Sequence, residues 1–476
     1  AKPKPPPRKR PAKARIDPMA QMFARDVQKG HGVDQAVTFD QSEELGTPRG
    51  WIGTRNIALD RGIGSRGLPL GRIIEVFGLN GCGKSTAADQ VGAQCQAEGG
   101  LYVLGDTERN RDRPYMATMG VINESTVLIG GKTIEIMFEE IETVLRRAAS
   151  INVVAWKQAL DIAGFKTPPL PQYSYNTYDP NIKDKKTRRK KPTNTFQFFD
   201  WSMDHAAQLK AYQDKNHLDA SAICDAPTRK LLQPVVVYTA TGEPFSANDL
   251  RNKEFRETVE AQRAGEYGPL FSHNADRALA ICWDSVGGTP TKVELTEAAA
   301  DLHVGMAARA IKQNLRRLVQ LIDDAQASLI CVNQVYHKID SKSPGGGPKL
   351  ETYGGEGIKY HSCVRVSLKR IGTIKMPGNA DKQIGQIVEA TFVKNKVGVP
   401  FRKEVYGLIY GRGADNGWTI YNDLKTRGII KVSGAWSSFP DPTLPQKSWQ
   451  GWYGLSNMLS TDPVLYARLA RLYMEG

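Results

Sequence analysis

The sequence predicts an α/β chain built on a mostly parallel sheet, and three observations predict it. Short apolar runs rich in β-branched residues alternate with segments of helical length. One strand-to-helix joint, Gly78-Leu-Asn-Gly-Cys-Gly83-Lys84-Ser85-Thr86, satisfies G-x-x-x-x-G-K-[ST] without a mismatch. Later apolar runs end in polar residues, Asp284-Ser285 and Asn333-Gln334, where strands of such sheets carry their chemistry.

With 476 residues the chain exceeds one ordinary core, so two or three units are expected. Residues 1–16 are Pro/Lys-rich and read as a disordered basic tail. Asp17 suits an N-cap and Pro18 a first helical position, so Met19 to Lys29 reads as an amphipathic helix ended by Gly30-His-Gly32. Residues 17–50 are thus a helix and linker. Arg72 to Phe77 reads as a buried strand, and Thr86 to Ala97 as the helix after the glycine-rich turn. Leu101 to Leu104 is a second strand, Lys132 to Ala149 a helix, and Ala278 to Trp283 a third strand. A long helix from Gly305 to Ala325 leads into the strand Ser328 to Val332. Three β-rich runs follow: Ser362 to Arg370, Gly385 to Lys394 and Lys403 to Tyr410.

The core is therefore expected over 51–149 and 276–415. Residues 150–275, rich in Pro, Tyr, Asn and Lys, interrupt it where connections are normally short. They read as an inserted subdomain with local helices around Phe199–Lys215 and Asn248–Ala264. Residues 416–476 read as a small C-terminal α/β domain.

The net charge of +14 is concentrated. Residues 1–15 hold seven Lys/Arg and no acid, and residues 183–191 hold seven bases and one acid, so these runs supply +13 of it. Such runs contact phosphate backbones by counterion release; the alternative for the tail is a solvated, solubilising segment. The scattered cysteines form no C-x-x-C pair and suit small buried hydrophobes in a reducing, cytoplasmic setting. No apolar run reaches the length of a membrane span, so no membrane partner is expected.

The glycine-rich turn has a chemical reading. Backbone N–H groups from Gly78, Gly81 and Gly83 to Thr86, with the helix N-terminus behind them, would surround a triphosphate. Lys84 would reach the β- and γ-phosphates, and the Ser85 hydroxyl would bind Mg²⁺. Asp284 suits the carboxylate that holds the metal through water; a strand-end cap is its bland alternative. Glu108, just past Leu101–Leu104, would face the γ-phosphate and activate water, with Asp106 as the nearby rival that better suits a structural role. Gln334 lies within reach of the same phosphate. It precedes a long Gly/Pro/Lys-rich loop, Val335 to Gly355, and suggests a nucleotide sensor that orders a binding loop.

Together these residues resemble the RecA family of homologous recombinases, phage-encoded versions included, over about Gly53–Ile151 and Arg277–Tyr453. The resemblance rests on Arg66 to Gly78, Asp284-Ser285-Val286, Gly305-Met-Ala-Ala-Arg309, Asn333-Gln334, Gly354-Gly355 and Val393-Lys-Asn-Lys396. It implies a RecA-like ATPase core using ATP and Mg²⁺, with Glu108 as the catalytic glutamate and Tyr115 stacking on adenine. Lys394 and Lys396 would reach the ATP of an adjacent protomer, so the partners implied are single-stranded DNA, homologous double-stranded DNA and further copies in a helical filament. Two DNA-facing loops are implied, Lys292 to Val304 and Val335 to Gly355. Val304 and Ile339 would be wedges between bases, with loop packing as their alternative. Arg309, Lys312 and Arg316 would lie near the backbone, Lys338 would make the second loop basic, and Gly354 and Gly355 would offer N–H groups to phosphates. The first loop lacks glycines, valine replaces methionine at 304, and the insertion has no counterpart in cellular relatives. With the basic tail, these departures suggest a phage origin.

The expected activity is an ATP-dependent DNA recombinase. Two alternatives remain: an ATP-switched DNA-coating or recombination-mediator protein, and a hexameric helicase on the same core, which the Lys394/Lys396 pair disfavours.

Overall fold

The computed structural model describes residues 48, 50–64, 67–162, 164–165, 172–183, 190–199, 208, 211, 213, 215–216, 235–237, 272–274, 278–296, 305–342, 348–439 and 448–476. The expected helix at 19–29 and the local helix at 248–264 lie outside them.

Helix α1 (Ile57–Ile63) starts at Asn56, whose side chain accepts from the N–H groups of Ala58 and Leu59. Strand β1 (Arg72–Gly78) runs into the glycine-rich turn, and helix α2 (Lys84–Ala97) leaves it. β2 (Leu101–Asp106), α3 (Arg113–Thr118) and β3 (Thr126–Ile129) follow. Helix α4 (Ile134–Ile162) is longer than expected: it starts two residues after Lys132 and runs thirteen past Ala149. Its sequence carries no Gly or Pro before Gly164, so nothing stops the helix at the shift in composition.

Next come β4 (Leu279–Asp284), α5 (Met306–Asp324), β5 (Ala327–Asn333), β6 (Val335–Lys342), β7 (Pro348–Thr352) and α6 (Gly355–His361). A short helix, Lys292–Thr296, occupies the start of the first expected DNA loop. The second expected loop is largely a β-hairpin: β6 and β7 pair antiparallel from Val335↔Thr352 to Lys342↔Pro348. The chain closes with β8 (Val364–Met376), β9 (Asn379–Asn395), β10 (Lys403–Ile409), β11 (Gly413–Asp415) and α7 (Asn416–Thr426). Strands β12 (Lys431–Ser433), β13 (Trp436–Ser438) and β14 (Ser448–Gln450) form a small sheet beside α8 (Gly451–Thr461) and α9 (Pro463–Met474).

The nine-stranded central sheet has the order β11-β10-β9-β8-β1-β5-β4-β2-β3. From β8 to β3 every pairing is parallel, and β8 to β11 are antiparallel. Its central strands are buried on both faces, which alternation makes possible. Ile74, Val76, Tyr102, Leu104, Ala280, Cys282, Ile330 and Val332 join a core with α1, α2 and the C-terminal helices. Their neighbours Ile73, Val103, Leu279, Ile281, Trp283, Leu329 and Cys331 join a second core with α4 and α5.

Helix sequences match these two layers. In α5 the buried stripe is Ile311, Leu315, Leu318 and Ile322, one face at helical spacing. In α2 nearly every residue from Ala87 to Ala93 is buried, so it shows no such stripe. Gly92 lets it sit directly on the sheet: a Cβ there would lie 2.6 Å from the Tyr102 ring. Five cysteines of the described residues, Cys82, Cys95, Cys282, Cys331 and Cys363, are free and buried, as small hydrophobes should be.

Candidate nucleotide-binding and catalytic site

The glycine-rich turn sits at the C-terminal end of β1, in the middle of the sheet. Gly83 has φ +89°, and a Cβ there would strike Leu408 at 2.5 Å, so this turn accepts only glycine without rearrangement. Gly78 and Gly81 complete the turn. Lys84 is buried and folds back over the loop, its Nζ donating to the carbonyls of Gly78 and Leu79 at 3.0 Å each. A phosphate entering the loop can take those donors in place of the carbonyls. Ser85 and Thr86 follow in the first turn of α2, as an N-terminal anion site requires.

Parallel pairing brings the neighbouring strand ends to the same edge. The Ser85 hydroxyl donates to Asp284 Oδ2 at 2.7 Å. Burial raises the Asp284 pKa, and Arg111 and the Ser85 hydrogen bond oppose that rise. A hydroxyl and one carboxylate are hard oxygen donors that leave most of a coordination sphere to water and phosphate. That donor set fits Mg²⁺, which binds through one or two carboxylates plus substrate phosphates. No larger cluster of His, Cys, Asp and Glu that could hold a metal is present among the described residues.

Glu108 lies two residues beyond β2. Gln334 Nε2 donates to its Oε1 at 2.6 Å, and the Ser285 hydroxyl donates to the same oxygen. Asn110 reaches Oε2 at 3.3 Å. The structure thus joins residues that follow three different strands, β2, β4 and β5. Ser285, noted in the sequence only as part of a signature, is the hydroxyl between Glu108 and Gln334, 3.4 Å from the latter's Nε2. Asp106 is structural, accepting the N–H groups of Asn110 and Arg111 at 3.4 and 3.1 Å. Tyr115 is exposed on α3, which starts at Asp112 with that carboxylate accepting the Tyr115 N–H at 3.1 Å.

The sequence missed a buried group behind the loop. Asp89, five residues after Lys84 on α2, accepts from Tyr102 Oη at 2.9 Å and from Arg111 Nη1 at 2.5 Å. Burial pushes the Asp89 carboxyl up to about 6. Arg111 also donates to Asp284. A lone Asp within the small-residue run Ala87 to Ala93 was the available signal, because a buried carboxylate needs a partner.

Lys394 and Lys396 are not brought to Glu108 within the protomer. Lys394 pairs in register with Arg365, which is opposite Glu75, whereas Gly78 is opposite Leu368. That is a displacement of about 10 Å along the sheet and a further ~10 Å across two strand spacings. Lys394 Nζ donates to the carbonyls of Lys359 and Tyr360 at 2.7 and 2.9 Å, at the C-terminal end of α6. Burial first, then Lys396 and Arg365, lower its pKa. Lys396 is exposed.

The expected DNA-facing residues gather on α5 and α6. Arg309, Lys312 and Arg316 are exposed, and their i, i+3, i+7 spacing puts them together on one side of the helix, outside the buried stripe. Gly354 and Gly355 pack on the same helix: Cβ atoms there would lie 3.0 Å from Ile311 and 2.8 Å from Ala308. His361 lies between this face and Lys394 and Lys396. Burial, then Lys394, Arg316, Lys312 and Lys396, hold its imidazole below its ordinary pKa. Lys338 and Ile339 belong to β6, and Val304 lies outside the described residues.

Fold and site together define a mixed α/β core with a largely parallel sheet, a glycine-rich turn at its middle strand, and carboxylates at the adjoining strand ends. The model of the RecA N-terminal domain family matches residues 21–161 and 274–415, more than half the chain. This protein belongs to the RecA family. Curated relatives include Protein RecA of Helicobacter hepaticus, 24% identical over 395 residues, which are 83% of this chain and 76% of the relative. Protein RecA of Wigglesworthia glossinidia brevipalpis is 31% identical over 215 residues, 42% of this chain and 62% of the relative. Protein RecA of Syntrophobacter fumaroxidans is 32% identical over 207 residues, 44% of this chain and 57% of the relative. The chain therefore spans only about six tenths of the length of those last two. Among the described residues no helix is long and apolar enough to cross a membrane.

Proposed function

We propose that this protein is an ATP-dependent recombinase that assembles as a helical filament on single-stranded DNA and exchanges strands with homologous double-stranded DNA. The observation that carries the reading is the cluster of Glu108, Ser285 and Gln334 at the sheet edge that also holds Ser85 and Asp284. It supports hydrolysis of a bound nucleotide rather than binding alone.

In this reading Lys84 exchanges two loop carbonyls for phosphate oxygens, a charge-assisted contact stronger than the ones it gives up. Ser85 and Asp284 would hold Mg²⁺, which when bound spreads the negative charge of the β- and γ-phosphates. Glu108 takes a proton from the attacking water. Gln334 and Ser285 fix the carboxylate that does so, and Gln334 is placed to sense the γ-phosphate. Tyr115 would cover the adenine.

Lys394 and Lys396 serve the nucleotide of an adjacent copy, which fits their distance from Glu108 in their own protomer. Supplied in trans, they would neutralise developing charge and make hydrolysis depend on assembly. Residues 17–50 would pack between protomers, and the basic runs would add sequence-independent affinity for DNA. Arg309, Lys312 and Arg316 form a cationic face for the DNA backbone, beside Gly354 and Gly355, with Lys338, Ile339 and Val304 as further contacts.

The test is ATP hydrolysis with and without single-stranded DNA, paired with electron microscopy under ATP and a strand-exchange assay. DNA-stimulated turnover with filaments and exchanged strands is expected. Absence of both stimulation and filaments would refute the proposal, and stimulated filaments without exchange would reassign the protein as an ATP-switched coating or mediator protein.

A further inference from the structure

Arg111 ties together three parts of the site that sequence separates. One guanidinium nitrogen donates to Asp89 Oδ2 on α2 at 2.5 Å, and the other to Asp284 Oδ2 at the end of β4 at 2.7 Å. Its backbone N–H donates to Asp106 at the end of β2, which closes the turn that carries Glu108. Asp284 Oδ2 is also the oxygen that accepts the Ser85 hydroxyl. Asp89 is 1% exposed and is fixed from its other side by the Tyr102 hydroxyl.

Stability is a poor reason for this arrangement. Apolar side chains of similar volume replace a buried ion pair at little or no loss, and often with a gain. Here Arg111 Nε is moreover buried without a hydrogen-bond acceptor. What a guanidinium offers and an apolar pair cannot is a rigid planar fork that fixes two carboxylates relative to each other. Charge explains the need for both partners. A lone arginine on Asp284 would oppose a divalent cation there; an arginine neutralised by Asp89 leaves the Asp284 charge available while holding its carboxylate towards Ser85.

We propose that Asp89 and Arg111 are a positioning pair for the metal half of the nucleotide site: they preset Asp284 against Ser85 for the divalent cation. This rests on reading the site as one for Mg²⁺ and nucleotide. Neither residue touches the phosphates in this role, so the phosphate loop itself is left alone.

The test uses the full chain and a fluorescent methylanthraniloyl derivative of ATP. Binding is measured in EDTA and across a Mg²⁺ titration, for wild type, Arg111→Lys and the double variant Asp89→Leu/Arg111→Leu. Lysine keeps the charge but offers a single ammonium nitrogen in place of the rigid planar fork that fixes the two carboxylates relative to each other. Both variants are expected to bind the probe in EDTA within twofold of wild type, while the Mg²⁺ needed for half-maximal tight binding rises about tenfold, as loss of an outer-shell partner does. A rise of less than fivefold in either folded variant overturns the proposal. So does an equal loss with and without Mg²⁺, which a general structural role would give. If the double variant does not fold, Arg111→Lys decides by the same criteria. Wild-type protein that fails to bind the probe, or Lys84→Ala that binds it normally, would refute the nucleotide-site reading instead.

Discussion

Replacing Glu108 with glutamine removes one charge from the site and almost nothing else. The carboxylate is exposed, so the substitution should change stability by no more than about 0.5 kcal/mol. Oε1 accepts both Gln334 Nε2 and the Ser285 hydroxyl, and a glutamine oxygen in the same place accepts both as well. The amide nitrogen then takes the position of Oε2, where Asn110 can turn its own amide to accept. What is lost is the ability to take a proton from water. General-base catalysis contributes roughly 10²–10⁴ in rate, equivalent to about 3 to 5 kcal/mol on the barrier. Steady-state hydrolysis at saturating single-stranded DNA should fall by that factor, while nucleotide affinity stays within about twofold. Filaments formed with ATP should therefore persist, because nothing removes the nucleotide that fastens them. A fall of less than tenfold in turnover, or disassembly at the wild-type rate, would show that Glu108 is not the base.

Three further outcomes follow from other contacts. Lys84→Ala should abolish turnover and weaken nucleotide binding by roughly 100-fold, the scale of a lost contact to a charged group; equilibrium dialysis with ATP checks it. Burial pushes the Asp60 carboxyl up to about 6 from 3.8, against the pull of two hydrogen bonds from Thr54. The folded state then binds more protons than the unfolded one between those values, so stability falls as pH rises through that window, by about 3 kcal/mol in total. Asp60→Asn should remove that slope in denaturant melts taken at pH 4 and pH 7, gaining at pH 7 only. Arg61 holds Glu404 and the Tyr473 carbonyl, joining α1 to β10 and α9, and Glu404 is 3% exposed. Arg61→Ala should cost about 3–5 kcal/mol in urea unfolding, because it leaves that carboxylate buried without its main partner.

What the sequence revealed depended on how far apart the interacting residues lie. The glycine-rich turn is contiguous, and strand, turn and helix announce themselves locally. Glu108, Asp284 and Gln334 could be assembled because each falls just past an apolar run, and parallel strands deliver such positions to one edge. The Asp89–Arg111 pair follows no such rule: a helix interior meets a loop 22 residues on. The β6–β7 hairpin was hidden by its composition, since Gly345-Gly-Gly-Pro348 suggested a loop throughout. Yet Val335 and Ile339 fall at even spacing with Lys338, Asp340 and Lys342 at alternate positions, a pattern that a strand allows. The extension of α4 to Ile162 is concealed in the same way: composition shifts after Ala149, but no Gly or Pro stops the helix before Gly164.

In the proposed function, these contacts also decide how a nucleotide would be felt at the cationic face of α5. Asn333 Nδ2 donates at 2.8 Å both to Glu75, on the strand that feeds the glycine-rich turn, and to the carbonyl of Tyr353, just past the hairpin. Arg365 Nε holds the second oxygen of that fully buried glutamate at 2.5 Å. The Tyr353 N–H returns to the Gln334 carbonyl at 3.4 Å. The residue that touches Glu108 is therefore stapled to the foot of the hairpin from both sides. Buried polar networks resist partial disruption, because each freed group costs its own desolvation. A shift of Gln334 towards a phosphate must then move the hairpin's foot with it, or break that staple. The adjoining glycines Gly354 and Gly355 rest on α5, which carries Arg309, Lys312 and Arg316. In the proposed function, nucleotide state and DNA contact are thus joined through the adjacent residues Asn333 and Gln334, Tyr353, and the glycines that rest on α5.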